Sequence, residues 1–516
     1  MAGSRQTGIS RSALLIASGT FIALALLIPL LNTEGSPVRV GAHSLGVSFE
    51  LAAAGLGIVV AGLVFWWSYR RGRFDPFELP VWFSLNAYGQ IVFNIWILQR
   101  DLRFRPFVAS MATETLPALA VLLMGVGLVA LWVGYAFVTR VLESRPVRSE
   151  PVPGNPRWVL TMGAWFVCKL LEILAVVSGA TGYLAQRGSV WSSYLAFFLH
   201  LGNLTAFVML IQHFRHPRLI GWLWLLGITA TNIFLGLVMG TKGAVYVLLY
   251  AVMAIYYARR RLSARWLAAG FLALVVSVPA VNTFRANLYD AGFDRSQGAG
   301  FAERLPILLS SLNETLSNPL SSLAEQTQGT FEQRQGGVLE ITVSMMAIHP
   351  KVQPYVGLDM LSGIAQQLIP RFLWPGKPAG HLDLYLILSS YLGIPDHSWA
   401  TPGQFADAYR TAGWPFVVVW FLLLGGLMAW FYVRGPASGD LAGTAFYLLM
   451  TASFLTYENH LNNTTLEILK FAIILWFVNK YLLFEAPSGK RRTGAGTKPS
   501  DSAAPTRGLP PTGGTG

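Results

Sequence analysis

Twelve apolar stretches of 15 to 23 residues follow one another along the chain, at 12–31, 48–68, 79–98, 116–138, 158–180, 193–212, 219–239, 244–258, 266–281, 414–432, 441–457 and 466–484. A helix of about 20 apolar residues crosses the hydrocarbon core of a bilayer. A soluble fold of this length has no interior large enough for twelve of them. Only 12% of the residues are charged and the mean hydropathy is +0.49, against roughly 25% charged in an ordinary soluble domain. The expected fold class is all-α: a polytopic membrane protein with about 12 transmembrane helices and one large external loop. The first stretch follows Arg5 and Arg11 and has no small-residue cleavage site before Glu34, so it reads as an uncleaved signal anchor.

A net charge of +13 suggests nucleic acid, but the positions of the charges rule that out. The excess lies in short loops and in the tail, beside apolar stretches, so membrane lipid is an expected partner and nucleic acid is not. One face takes Arg5, Arg11, the loop arginines 70, 71, 73, 140, 145, 148, 157, 215, 218, 259, 260, 261, 265 and 434, and the tail cations Lys490, Arg491, Arg492, Lys498 and Arg507. That is 21 basic residues, against six (Arg39, Arg100, Arg103, Arg105, Arg187 and Lys242) in the opposite short loops. Basic loops stay in the cytoplasm, so both termini are expected there.

Four regions follow: an N-terminal membrane bundle of about nine spans at 1–281, an external region at 282–413, a C-terminal bundle of about three spans at 414–485, and a cytoplasmic tail at 486–516 expected to be disordered. The external region holds 8 Lys/Arg and 11 Asp/Glu. Its amphipathic runs at 305–312, 338–348 and 382–394 are too short to cross a bilayer. Loops of this length are usually functional.

Candidate residues gather at the external membrane surface. GTKGA (240–244) turns one span directly into the next, placing Lys242 against the charge trend between two glycines and beside a helix N-terminus. Its plainer role is that of a snorkelling lysine in a turn. Arg285 in TFRANLYD (283–290) shares that level, as an anion contact or as an interfacial anchor. Arg371 and Lys377 in IPRFLWPGKP (369–378) add two more cations. Cations grouped at one depth suit a lipid-linked diphosphate.

TPGQFADAYRTAGWP (401–415) places Asp407, Tyr409 and Arg410 within one helical turn above the tenth span. Asp407 at that position is a candidate general base, and equally a partner for Arg410 or a helix cap. His397 and His381 are rival bases in the same region. His460 in ENHLNNTT (458–465) belongs to a short polar turn able to bind sugar hydroxyls or simply to be solvated. Within the spans, Asn86, Gln90 and Asn94 form one stripe, and Lys169–Glu172 and Glu467–Lys470 are opposite charges three residues apart. Internal pairing and helix–helix hydrogen bonds account for all three. There is no P-loop, no HExxH and no cysteine–histidine cluster, and the one cysteine, Cys168, falls mid-span. No metal and no cofactor are expected.

The order of GTKGA, TFRANLYD, RFLWPGKP and TPGQFADAYRTAGWP leading into a glycine-rich span resembles the oligosaccharide repeat unit polymerases, the O-antigen polymerase (Wzy-type) family. The likeness covers about 236–430. The turn cation, usually arginine in that group, is lysine here, and no arginine in 282–413 is followed eleven residues later by glycine. The resemblance implies a multi-span, GT-C-like, metal-independent glycosyltransferase of the bacterial inner membrane. Such an enzyme moves a nascent glycan from undecaprenyl diphosphate to a new lipid-linked repeat unit at the external face. Its partners would be undecaprenyl-diphosphate-linked oligosaccharide, a flippase and a chain-length regulator. The residues read above stand as its site candidates: Lys242, Arg285, Arg371, Lys377, Tyr409, Arg410 and His460 for substrate, and Asp407, His397 and Arg285 for catalysis. An O-antigen-ligase-like transferase and a lipid-linked sugar or polysaccharide transporter are the alternatives.

Overall fold

The computed structural model describes residues 39–40, 43–44, 46–72, 74–98, 115–144, 156–178, 190–217, 219–240, 243–259, 279–293, 300–317, 338–357, 359, 374, 403–455 and 461–484. A two-residue pairing of β1 (Arg39–Val40) with β2 (His43–Ser44) is a local turn feature, and the all-helical expectation holds. The described remainder is helical. α1 is Gly46–Arg71, α2 Leu79–Leu98, α3 Leu116–Glu143, α4 Trp158–Val177, α5 Val190–Arg215, α6 Leu219–Val238 and α7 Gly243–Arg259. α8 covers 279–290, α9 is Phe301–Ser317, α10 Val338–Ile348, α11 Gly403–Tyr432 and α12 Leu441–Leu455. α13 starts at Leu461–Leu466 and continues through π-helical turns at Glu467–Ala472 and Val478–Leu483. Among the described residues, six helices are long and apolar enough to cross a membrane. The expected stretch at 12–31, most of that at 266–281, and the amphipathic run at 382–394 lie outside the described residues.

Two boundaries differ from expectation. The helix bearing Arg285 continues to residue 290, where a span was expected to stop at 281; nothing in TFRANLY breaks a helix before Gly292, which turns at φ +82°. α11 begins at Gly403, ahead of the apolar run, because TPGQFADAYRT is itself helical and joins the span across a break at Ala412 and Gly413. Gly413 has φ +70°, which glycine adopts without strain, and Pro415 follows with no N–H to continue the ladder.

Among the described residues, α3 and α11 pack backbone to backbone. A Cβ on Gly134 would run into the carbonyl of Leu422, and one on Gly425 into the carbonyl of Leu131. Lipid offers no hydrophobic drive between helices, so close packing of small residues has to hold them. Phe405 and Phe421 stack at 4.4 Å against Gly127 of α3, and Phe83 of α2 closes on Phe421 at 5.9 Å. Lys169 and Glu172 pair inside α4 at 2.6 Å, both buried. The side chains of Gln90, Asn94, Glu467 and Lys470 lie outside the described residues.

At the α1–α2 turn, residues that look like loop charges form a largely buried network with one exposed member, Glu143. Arg71 bonds Glu78 at 3.1 Å and Glu143 at 2.6 Å, and its guanidinium lies 4.7 Å from the Trp67 ring. Trp67 Nε1 donates to Glu78 at 2.6 Å, and the Tyr432 hydroxyl donates to Asp75 at 2.8 Å. The Phe77 carbonyl accepts from Tyr447 at 2.9 Å and Tyr257 at 3.1 Å, so the turn is tied to α7 and α12. Burial pushes the Glu78 carboxyl up to about 7, opposed by Arg71. A carboxyl raised on folding binds its proton more tightly in the native state, so stability falls as pH rises from 4.5 towards 7. The thermal midpoint in detergent is therefore expected to drop across that window, and Glu78→Gln should flatten the slope. An unchanged slope in the variant would remove Glu78 as its source.

Candidate functional site

Two polar clusters lie on different groups of helices. The first is built on the α6–α7 turn. Two residues beyond α6 stands Gly240, whose φ of +60° suits a residue without a Cβ. Arg285, half-buried on α8, donates through Nε to the Gly240 carbonyl at 2.6 Å. The sequence segments of GTKGA and TFRANLYD are thus joined directly. Apolar residues on both sides set that distance: Leu235, Val238 and Met239 of α6 pack with Phe284 and Leu288 of α8. Val176 of α4 and Leu308 of α9 complete this packing. α9 adds polar contacts, with Asn287 donating to Ser311 at 3.0 Å and Glu314 at 3.4 Å. It also carries Arg304, 1% exposed, whose pKa burial pulls down.

The second cluster surrounds the N-terminal part of α11. Asp407 is 1% exposed. Its Oδ1 accepts from Arg410 Nε at 3.0 Å and Nη2 at 2.8 Å, and its Oδ2 accepts from the backbone N–H of Leu461 at 2.8 Å. Both structural alternatives for this residue are realised together: it pairs with Arg410 and it accepts at the start of α13. A carboxylate with three donors on it is well placed to orient Arg410. Tyr409 donates to the His349 carbonyl at 3.4 Å and meets the Tyr355 ring edge-on at 5.9 Å. The 349–357 turn is tied to the same helix, with Val356 N–H donating to the Arg410 carbonyl and Gly357 N–H to that of Thr411. Gln404, fully buried, accepts from Trp420 at 3.2 Å.

Of the residues singled out in the sequence, Arg285, Asp407, Tyr409 and Arg410 are described. Lys242, Arg371, Lys377, His381, His397 and His460 lie outside the described residues. His349, Tyr355, Gln404 and Arg304 escaped the sequence reading. Arg304 and His349 adjoin the amphipathic runs at 305–312 and 338–348, and Gln404 lies inside the TPGQFADAYRTAGWP motif; no local pattern marks Tyr355.

Together the helices and their apolar length define an all-helical membrane protein. The chain belongs to the family described as Domain of unknown function (DUF8712), which matches residues 161–475, more than half of its length and both clusters. No curated protein and no solved structure matches the chain.

Proposed function

We propose that this protein is a polymerase of undecaprenyl-diphosphate-linked oligosaccharide repeat units, acting at the external face of the bacterial inner membrane, with about twelve spans in a GT-C-like arrangement. The observation that carries the reading is the Arg285–Gly240 bond at 2.6 Å, which brings together the two cation-bearing motifs expected to hold a diphosphate. In this reading Lys242 and Arg285, helped by Arg371 and Lys377, hold the donor diphosphate. Tyr409, Arg410 and His460 contact the sugars, and Asp407 fixes the direction of Arg410. The acceptor hydroxyl attacks the anomeric carbon, the bond from that carbon to the diphosphate oxygen breaks, and undecaprenyl diphosphate departs. The cations stabilise the charge that develops on it. The hydroxyl proton passes to a base, for which His397 and then His381 are the first to test, because the Asp407 carboxylate already accepts three hydrogen bonds.

Gel analysis of surface glycan from a deletion strain separates the rival readings. Single-repeat glycan on the final acceptor is the expected result. Polymer retained on the lipid would mean an O-antigen-ligase-like transferase, and repeat units held on the cytoplasmic face a transporter. Orientation is checked separately. Alkaline phosphatase fused near residue 330 should be active and fused after residue 490 inactive, since the basic loops place both ends in the cytoplasm. The reverse pattern would remove every site assigned to the external face.

A further inference from the structure

α9 has three faces. Successive residues of a helix are turned by about 100°, so Arg304, Leu308, Ser311 and Thr315 share one face, and all four are buried. That face seats the helix on the bundle. Leu308 packs with Val238 of α6, Val176 of α4 and Leu288 of α8, and Ser311 accepts from Asn287 at 3.0 Å. A second face, with Glu303, Ser310, Asn313, Glu314 and Ser317, is polar and exposed. Between the two runs a row of leucines, Leu305, Leu309, Leu312 and Leu316. It lies about a quarter turn from the buried face. Leu309 and Leu316 in this row are 59% and 61% exposed.

The surroundings of the row identify what it meets. α4 and α6 are each long and apolar enough to cross a membrane. α9 packs on the last turns of both, through Val176 and Val238. The last turn of α4 also exposes Leu174 and Val177, and α6 exposes Phe234 one turn before its end. Side chains that a spanning helix exposes there contact acyl chains, and the leucine row continues that apolar surface beyond the spans. A contiguous apolar row of this kind is unfavourable in water. An apolar strip beside a polar face is the pattern of a helix lying in the plane of a bilayer interface. Such helices commonly carry Lys or Arg on the polar face, whereas α9 carries Glu303 and Glu314 there. Its attachment therefore rests on the leucines and on the docked face, and not on headgroup charge.

We infer that α9 lies in the bilayer interface, with Leu305, Leu309, Leu312 and Leu316 among the acyl chains of the leaflet reached by the C-terminal ends of α4 and α6. This segment is then a membrane-seated element, and it holds α8, with Arg285 on it, at the membrane surface. The inference is independent of the polymerase reading.

The one cysteine makes a clean test available. Cys168→Ser gives a background for single nitroxide labels, placed by Leu309→Cys, Leu316→Cys, Ser310→Cys or Asn313→Cys, with Leu174→Cys as the lipid reference. Labels at these exposed positions leave Leu308 and Ser311 in place on the bundle. The full chain is reconstituted in vesicles of phosphatidylethanolamine and phosphatidylglycerol. Power saturation then compares collisions with oxygen, which concentrates in lipid, and with a neutral nickel chelate, which stays in water. The oxygen-to-chelate ratio at the Leu309 and Leu316 positions should match that at Leu174 and exceed that at Ser310 and Asn313 several-fold. A ratio equal to that at Ser310 and Asn313 would place the row in water. Protection from both reagents would mean that protein, from this chain or a second copy, covers it. Either result overturns the inference.

Discussion

Arg285→Ala and Lys242→Ala are each expected to abolish polymer while the protein remains at its normal level in the membrane. Arg285 does two jobs in this account. Its Nε holds the Gly240 carbonyl at 2.6 Å, tying the start of the GTKGA motif to α8, and in the proposed function its charge stabilises the donor diphosphate. Removing a charge-assisted contact that tightens as the leaving group gains charge costs on the order of 2–4 kcal/mol, or roughly 30- to 1000-fold in rate. Arg285→Lys sharpens the test. Lysine keeps the charge but has no second planar donor to share between a carbonyl and a phosphate, so it should recover only part of the activity. For Lys242, whose charge alone is invoked, Lys242→Arg should retain most of it. Chain-length distributions of surface glycan on gels measure both. Near-normal polymer from either alanine variant would remove that residue from the site.

Gly425→Leu is expected to break the α3–α11 pair. The first carbon of the new side chain meets the Leu131 carbonyl, a backbone atom that cannot rotate away, so the helices must separate along their length. Overpacking in a tight interior usually costs about 1–3 kcal/mol, and with backbone as the obstacle the upper end is expected, ~3 kcal/mol. Gly134→Leu should behave alike, since its Cβ would meet the Leu422 carbonyl. Gly163→Ala is the control: nothing lies within 4 Å of its Cβ position, and alanine in a helix is favoured over glycine. Thermal midpoints in detergent compare the three. A Gly425→Leu midpoint equal to that of Gly163→Ala would mean that α3 and α11 do not pack as described.

Helix positions were legible where apolar length alone decides them. α2 runs Leu79–Leu98, as its apolar run does, and α3 starts at Leu116 where the run starts. Length stops being informative where a helix is polar. α11 extends back to Gly403 through Gln404, Asp407 and Arg410, which hydropathy treats as loop. Burial of charge was the least legible feature. Arg71 counted as one of the basic loop residues, yet it pairs with Glu143, 72 positions away, and Asp75 meets Tyr432, 357 positions away. No local pattern encodes such partners. The pairing of Asp407 with Arg410 was legible because the two are three residues apart on one helix. The acceptance of the Leu461 N–H, from a different helix, was not.

The most direct measurement uses the purified full-length protein in proteoliposomes with undecaprenyl-diphosphate-linked repeat units from the producing strain. No nucleotide is added and a metal chelator is present. The account predicts a ladder of lipid-linked glycans that lengthens with time, because the lipid diphosphate bond carries the only energy the reaction needs. The Arg285→Ala protein should give no ladder. Single repeat units that persist unchanged with the wild-type protein, under conditions where it binds them, would contradict the account.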